Sequence, residues 1–130
     1  MKTPTSSDLR EFLGALRSAW SIETSPQWPY EPARGQGAVT ALVFHDRFGG
    51  EILKTRVGDE WHFYNRVVET VYDLAAEQFS ELPAYLHLPS SRDEALAGSA
   101  PERYQALAGR VSNTLALQRV MRTNPGGTSQ

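Results

Sequence analysis

Three places in this 130-residue chain have the residue types and the order of a nucleophile-and-base site, with the nucleophile itself missing. Gln36 and Gly37 head an apolar run, His62 follows in an aromatic segment, and Asp73 comes after it. The start of a buried helix offers backbone N–H groups and the positive end of the helix dipole, which favour a thiolate and can hold an oxyanion. An amide side chain such as that of Gln36 can add a further donor there. A histidine then acts as base, oriented by a third polar group. Position 37 is where the attacking group would stand, and glycine has none. The chain contains no cysteine at all, which excludes thiol catalysis, disulfides and thiolate metal sites together.

The elements that must position these residues can be read from periodicity. Residues 36–48 are apolar nearly all round until His45, the pattern of a central buried helix, and Gly49-Gly50 ends it. Two runs of alternating character follow, Glu51–Val57 and Glu60–Val67, divided by the turn signal Gly58-Asp59. A third strand over residues 70–74 closes an antiparallel meander. If the chain reverses at residues 67–69, paired positions sum to an odd total of about 135, so His62 and Asp73 share a sheet face as direct or near-diagonal neighbours. Asn65 has the opposite parity and is the second choice as partner of His62.

A first helix carries Leu9, Phe12, Leu13, Leu16 and Trp20 on one face, capped by Ser7 or by Asp8 with Glu11. Pro26, Pro29 and Pro32 make residues 21–35 a long loop anchored by Trp28 and Tyr30. Residues 75–79 allow one helical turn. Pro101 opens a last helix with Tyr104, Leu107, Ala108, Val111 and Leu115 along one stripe. The expected product is an α+β domain over residues 1–122, a buried central helix on a small antiparallel sheet with flanking helices, followed by a flexible polar tail at residues 123–130.

Forty per cent hydrophobic and 22% charged residues are the proportions of an ordinary globular protein. A net charge of −2 gives no electrostatic reason to expect nucleic acid or an anionic membrane surface as partner. No apolar run is long enough to span a bilayer, and the first residues lead into an amphipathic pattern rather than a signal peptide. The expectation is a soluble cytoplasmic protein. His45, Asp46 and His87 lack ligand spacing with His62, so neither a metal nor another cofactor is expected.

One set of motifs is similar to a known family. Trp20-Ser21-x-Glu23-Thr24-Ser25, Gly35-Gln36-Gly37-Ala38-Val39-Thr40-Ala41-Leu42, Phe48-Gly49-Gly50-Glu51, His62-Phe63-Tyr64-Asn65, and Tyr72-Asp73-Leu74 before Gln78-Phe79 resemble the YunG-like family, small bacterial proteins of unassigned function. Arg103-Tyr104 with Arg110-Val111 extends the likeness into the last helix. The resemblance implies a papain-like fold related to cysteine peptidases and transglutaminases, with cysteine where Gly37 stands here. It implies His62 as base, Asp73 or Asn65 as its orienter, and Gln36 in the oxyanion hole. The glycine at position 37 leaves the nucleophile's place vacant.

Two functions are compatible with this pattern. One is a pseudoenzyme that keeps the cleft to bind a peptide or small molecule. The other is an active hydrolase or acyltransferase using a hydroxyl, from Ser25 or Thr40, or a water activated by His62 and Asp73. A scaffold role through an apolar patch is a third. Each residue also has a plainer reading: His62 as packing in an aromatic strand, Asp73 as a strand-end residue, Glu23, Thr24 and Ser25 as loop-backbone partners, Gly37 as a helix-start glycine.

Overall fold

The computed structural model describes residues 3–20, 36–76 and 79–123. The expected loop at residues 21–35, residues 77–78 of the expected turn and residues 124–130 of the tail lie outside them. Among the described residues the chain forms α1 (Ser6–Ala19), α2 (Gly37–Phe48), β1 (Glu51–Val57), β2 (Glu60–Val67), β3 (Thr70–Tyr72), β4 (Leu88–Pro89), α3 (Arg92–Ala97) and α4 (Pro101–Thr123). The architecture is α+β, with a four-stranded antiparallel sheet in the order β3-β2-β1-β4. None of these helices is long and apolar enough to cross a membrane.

Helix α1 is capped two or three residues ahead of the expected Ser7 or Asp8. Thr5 is the N-cap: its side chain accepts from the Asp8 N–H at 3.0 Å, and the Asp8 carboxylate accepts from the Thr5 N–H at 3.3 Å. This capping box satisfies two donors reciprocally. Phe12, Leu16 and Trp20 are then buried as the spacing requires.

Helix α2 buries Gly37 and everything from Val39 to Phe44. One side joins a core with α1, α4 and Val67 of β2. There Phe44 packs on Phe12, Phe48 and Tyr72 at centroid separations of 5.9, 4.9 and 5.2 Å. The other side, Ala41 and Leu42, meets Ile52, Phe63 and Ala95. In α4, Leu107, Val111 and Leu115 are buried at the expected one-turn spacing. Short α3, capped by Ser91 onto the Glu94 N–H at 3.1 Å, was not legible in the sequence; nor was β4.

The meander has the expected strand bounds for β1 and β2, but β3 stops at Tyr72 rather than residue 74. In the ladder Asn65 pairs with Tyr72 and Val67 with Thr70. Two-residue turns close both hairpins, so alternate residues of β2 point their backbone groups to opposite neighbours, and those of Phe63 face the β3 side. Continued pairing would need residue 74 there. That space is taken by the start of α2: a Cβ built on Gly37 lies 3.6 Å from the Phe63 carbonyl oxygen.

Candidate functional site

Because β2 outruns β3, the first turn of α2 can reach around the open edge to the side chain of His62. The fit is close. A Cβ at position 37 would lie 2.8 Å from His62 Nδ1 and 3.0 Å from Cε1, nearer than side chains pack. Glycine is what lets the imidazole rest against the helix start. Gln36 is the α2 N-cap residue and makes no side-chain cap. It is fully buried, and among the described residues neither its Oε1 nor its Nε2 has a hydrogen-bond partner. An amide buried in this way carries an unmet cost of about 1–3 kcal/mol.

The other face of the imidazole is tied down. His62 Nε2 lies 2.7 Å from Asp73 Oδ2, with both side chains nearly buried. The odd register total places Asp73 diagonally from His62, on the face that parity assigns. The same carboxylate oxygen accepts from the Tyr85 hydroxyl at 2.7 Å. An ionised carboxylate only accepts, so Nε2 carries the proton and a neutral His62 turns the Nδ1 lone pair toward Gly37. Burial first, then the hydrogen bond to Asp73 and its charge, push the Tyr85 hydroxyl well above the usual tyrosine range, so Tyr85 stays a donor. Phe79 closes edge-on against the His62 ring at 4.8 Å, and Tyr64 stacks on it at 6.1 Å.

Asn65 does not join this group. It lies on the opposite sheet face, where its Nδ2 donates to the Ala41 carbonyl at 3.0 Å and fixes α2 to β2. Its place as an alternative partner of His62 is therefore corrected by its parity. Thr40 is buried one turn into α2, and its Oγ1 accepts from Trp20 Nε1 at 3.3 Å. Glu23, Thr24 and Ser25 lie outside the described residues. Tyr85 escaped sequence reasoning because residues 83–89, bounded by prolines, show no periodicity that would assign it a face.

Cavities of about 500 and 310 Å³ open elsewhere, one between α1, α2 and α4 and one beside β1, β4 and α3. At the Gly37–His62 contact the imidazole itself occupies the space a side chain at position 37 would need.

The Asp73 contact has a measurable consequence. With Asp73→Ala, the Nε2-bound proton of His62, held in the structure by the carboxylate at 2.7 Å, should exchange with water too fast to appear as the separate downfield NMR resonance expected of the unchanged protein. A downfield resonance that persists in the variant would show that Asp73 does not hold the ring.

Residues 8–116 match the family described as YunG protein. The Bacillus subtilis (strain 168) protein named Uncharacterized protein YunG is 50% identical over 93 residues, which span 71% of this chain and 81% of that protein. No solved structure matches. The chain thus belongs to the YunG family.

Proposed function

We propose that this protein is a catalytically silent relative of the papain-like cysteine peptidases and transglutaminases that uses the vicinity of α2's first turn to bind a peptide or small molecule. The observation that carries this reading is the line Gly37–His62–Asp73: a helix start, an imidazole lone pair facing it, and a carboxylate on the far ring nitrogen. In this reading Gly37 is the vacated nucleophile position, His62 the former base and Asp73 its orienter. Gln36, whose buried amide has neither donor nor acceptor partner among the described residues, is the residue that would meet a ligand's carbonyl or N–H. Residues 1–122 act as one domain, in the cytoplasm.

The test pairs turnover with binding. Peptide, ester and γ-glutamyl amide substrates should not be hydrolysed or transferred by the chain. A mixture of tryptic peptides should shift the backbone amide resonances of Gly37 and Ala38, and Gln36→Leu should weaken that shift. Hydrolysis that disappears in His62→Ala would overturn the silent reading and favour the hydroxyl or water mechanism. Amide resonances unmoved by the peptides would remove peptide binding.

A further inference from the structure

Residues 84–87 lie on the sheet in the manner of a bound peptide. Strands β1 and β2 pair Thr55 with His62 and Leu53 with Tyr64, so these four side chains share one face. The chain that crosses this face joins the ladder only at Leu88 and Pro89 of β4. Ahead of them it is held by side chains. Thr55 Oγ1 donates to the Ala84 carbonyl at 2.7 Å and accepts from the Leu86 N–H at 3.1 Å. The Tyr64 hydroxyl accepts from the His87 N–H at 2.8 Å and also lies 2.9 Å from His87 Nδ1. Between these points Tyr85 turns toward the sheet. Its hydroxyl donates to Asp73 Oδ2 at 2.7 Å, and its ring meets that of Tyr64 edge-on at 5.0 Å.

The division of contacts is informative. An element held by apolar burial turns its leucines inward, whereas here Leu82, Leu86 and Leu88 face outward. What turns inward is main chain and one tyrosine, and beneath them Thr55 and Tyr64 are fully buried and His62 nearly so. Three of the bonds go to backbone C=O and N–H groups, which nearly every residue type offers, so they fix position without selecting sequence. The Asp73 bond does select. An ionised carboxylate needs a donor, and phenylalanine in place of Tyr85 would bring none. Main-chain bonds for position and one side-chain slot for identity are how sheets recognise peptides.

We propose that this face is a binding site for a tyrosine-containing peptide segment, and that residues 84–87 occupy it in cis as an internal stand-in. A segment of another protein takes their place by putting its tyrosine hydroxyl on Asp73 and its main chain on Thr55 and Tyr64. A short tethered segment acts at an effective concentration on the order of millimolar, so the stand-in holds off weak ligands and yields to stronger ones. The proposal rests on the peptide-binding role given above to the His62–Asp73 site, and adds the residue which that site selects and the segment that guards it.

NMR titration of Tyr85→Ala with the capped tetrapeptide of residues 84–87 tests it. The amides of Thr55, His62 and Tyr64 should shift saturably, and the wild-type chain should need at least about tenfold more peptide, because its own tyrosine competes. The same peptide with phenylalanine for tyrosine should bind Tyr85→Ala about tenfold more weakly, having lost one hydrogen bond to a carboxylate. Tyr85→Phe in the whole chain supplies a second measurement that needs no peptide. It keeps the ring beside Tyr64 and removes only the hydroxyl, so the Leu86 amide should lose about tenfold in protection from hydrogen exchange while the ladder amide of Leu53 holds. No saturable shift in Tyr85→Ala, equal binding of the two peptides, or equal binding by variant and wild type would each overturn the proposal. Unchanged Leu86 protection in Tyr85→Phe would do so as well. A low-pKa thiol in Gly37→Cys with no peptide binding would leave the vacated nucleophile standing and remove the tyrosine site; an ordinary thiol with tyrosine-selective binding would do the reverse.

Discussion

In Gly37→Cys, the ultraviolet absorbance of thiolate should appear at least about one pH unit below the ordinary cysteine range of roughly 8.5. Two features act in the same direction. The N-terminal amides of α2 stabilise negative charge at its first residue. The His62 ring lies beside the position, oriented by Asp73 at its far nitrogen, so that Nδ1 can share a proton with a thiol there. Adding His62→Ala should return most of the shift. The substitution should also cost stability. A Cβ 2.8 Å from Nδ1 forces the ring back by some tenths of an ångström, against the hold of Asp73 and Phe79. Overpacking of this kind costs about 1–3 kcal/mol, and Gly37→Ala should show the same loss without the thiol. A cysteine with an ordinary titration in a correctly folded protein would sink the vacated-nucleophile reading.

Gly50→Ala should lower the melting temperature by about 10 °C or more. Gly50 has φ +80°, and a Cβ there would lie 2.4 Å from the Arg66 carbonyl oxygen and 3.0 Å from Val67 Cγ2. The left-handed backbone costs an alanine about 1–2 kcal/mol, and the collision with main chain adds overpacking that no rotamer can relieve. Gly58→Ala is the control. Its φ is +62°, but nothing lies within 4 Å of its Cβ, so it should lose only about 1 kcal/mol. Equal losses at the two positions would show that backbone conformation alone, and not the approach of β2, fixes Gly50.

The contrast between β3 and the rest of the meander shows how far the sequence could be read. Alternation and the Gly58-Asp59 turn specify β1 and β2 to the residue, because local pattern and ladder agree. The same parity places Asp73 on the face of His62 and Asn65 on the other. Where β3 ends is decided by α2, more than twenty positions upstream in the sequence, and no local signal carries that. Tyr85 was hidden for the same reason: residues 83–89 have no periodicity, and their bonds to sheet side chains, such as that from the Thr55 hydroxyl to the Ala84 carbonyl, exist only once the sheet does. The cap of α1 is ambiguous for a different cause: Thr5, Ser7 and Asp8 are all capping residue types within one turn, and residue type alone does not choose among them.

The short run from Thr70 to Asp73 acts as a reading frame for the sheet. Asp73 reaches His62 only because it stands an even number of steps from Val71, whose ladder partner, Arg66, shares a side of the sheet with His62. One residue gained or lost between the hairpin turn and the carboxylate would swing Asp73 to the helix side of the sheet, leaving every strand intact and His62 unaccompanied. Changes within the turn itself preserve the frame as long as Val67 still meets Thr70. Length variation in this hairpin is therefore harmless on one side of Thr70 and decisive on the other, although both sides lie within three residues of it.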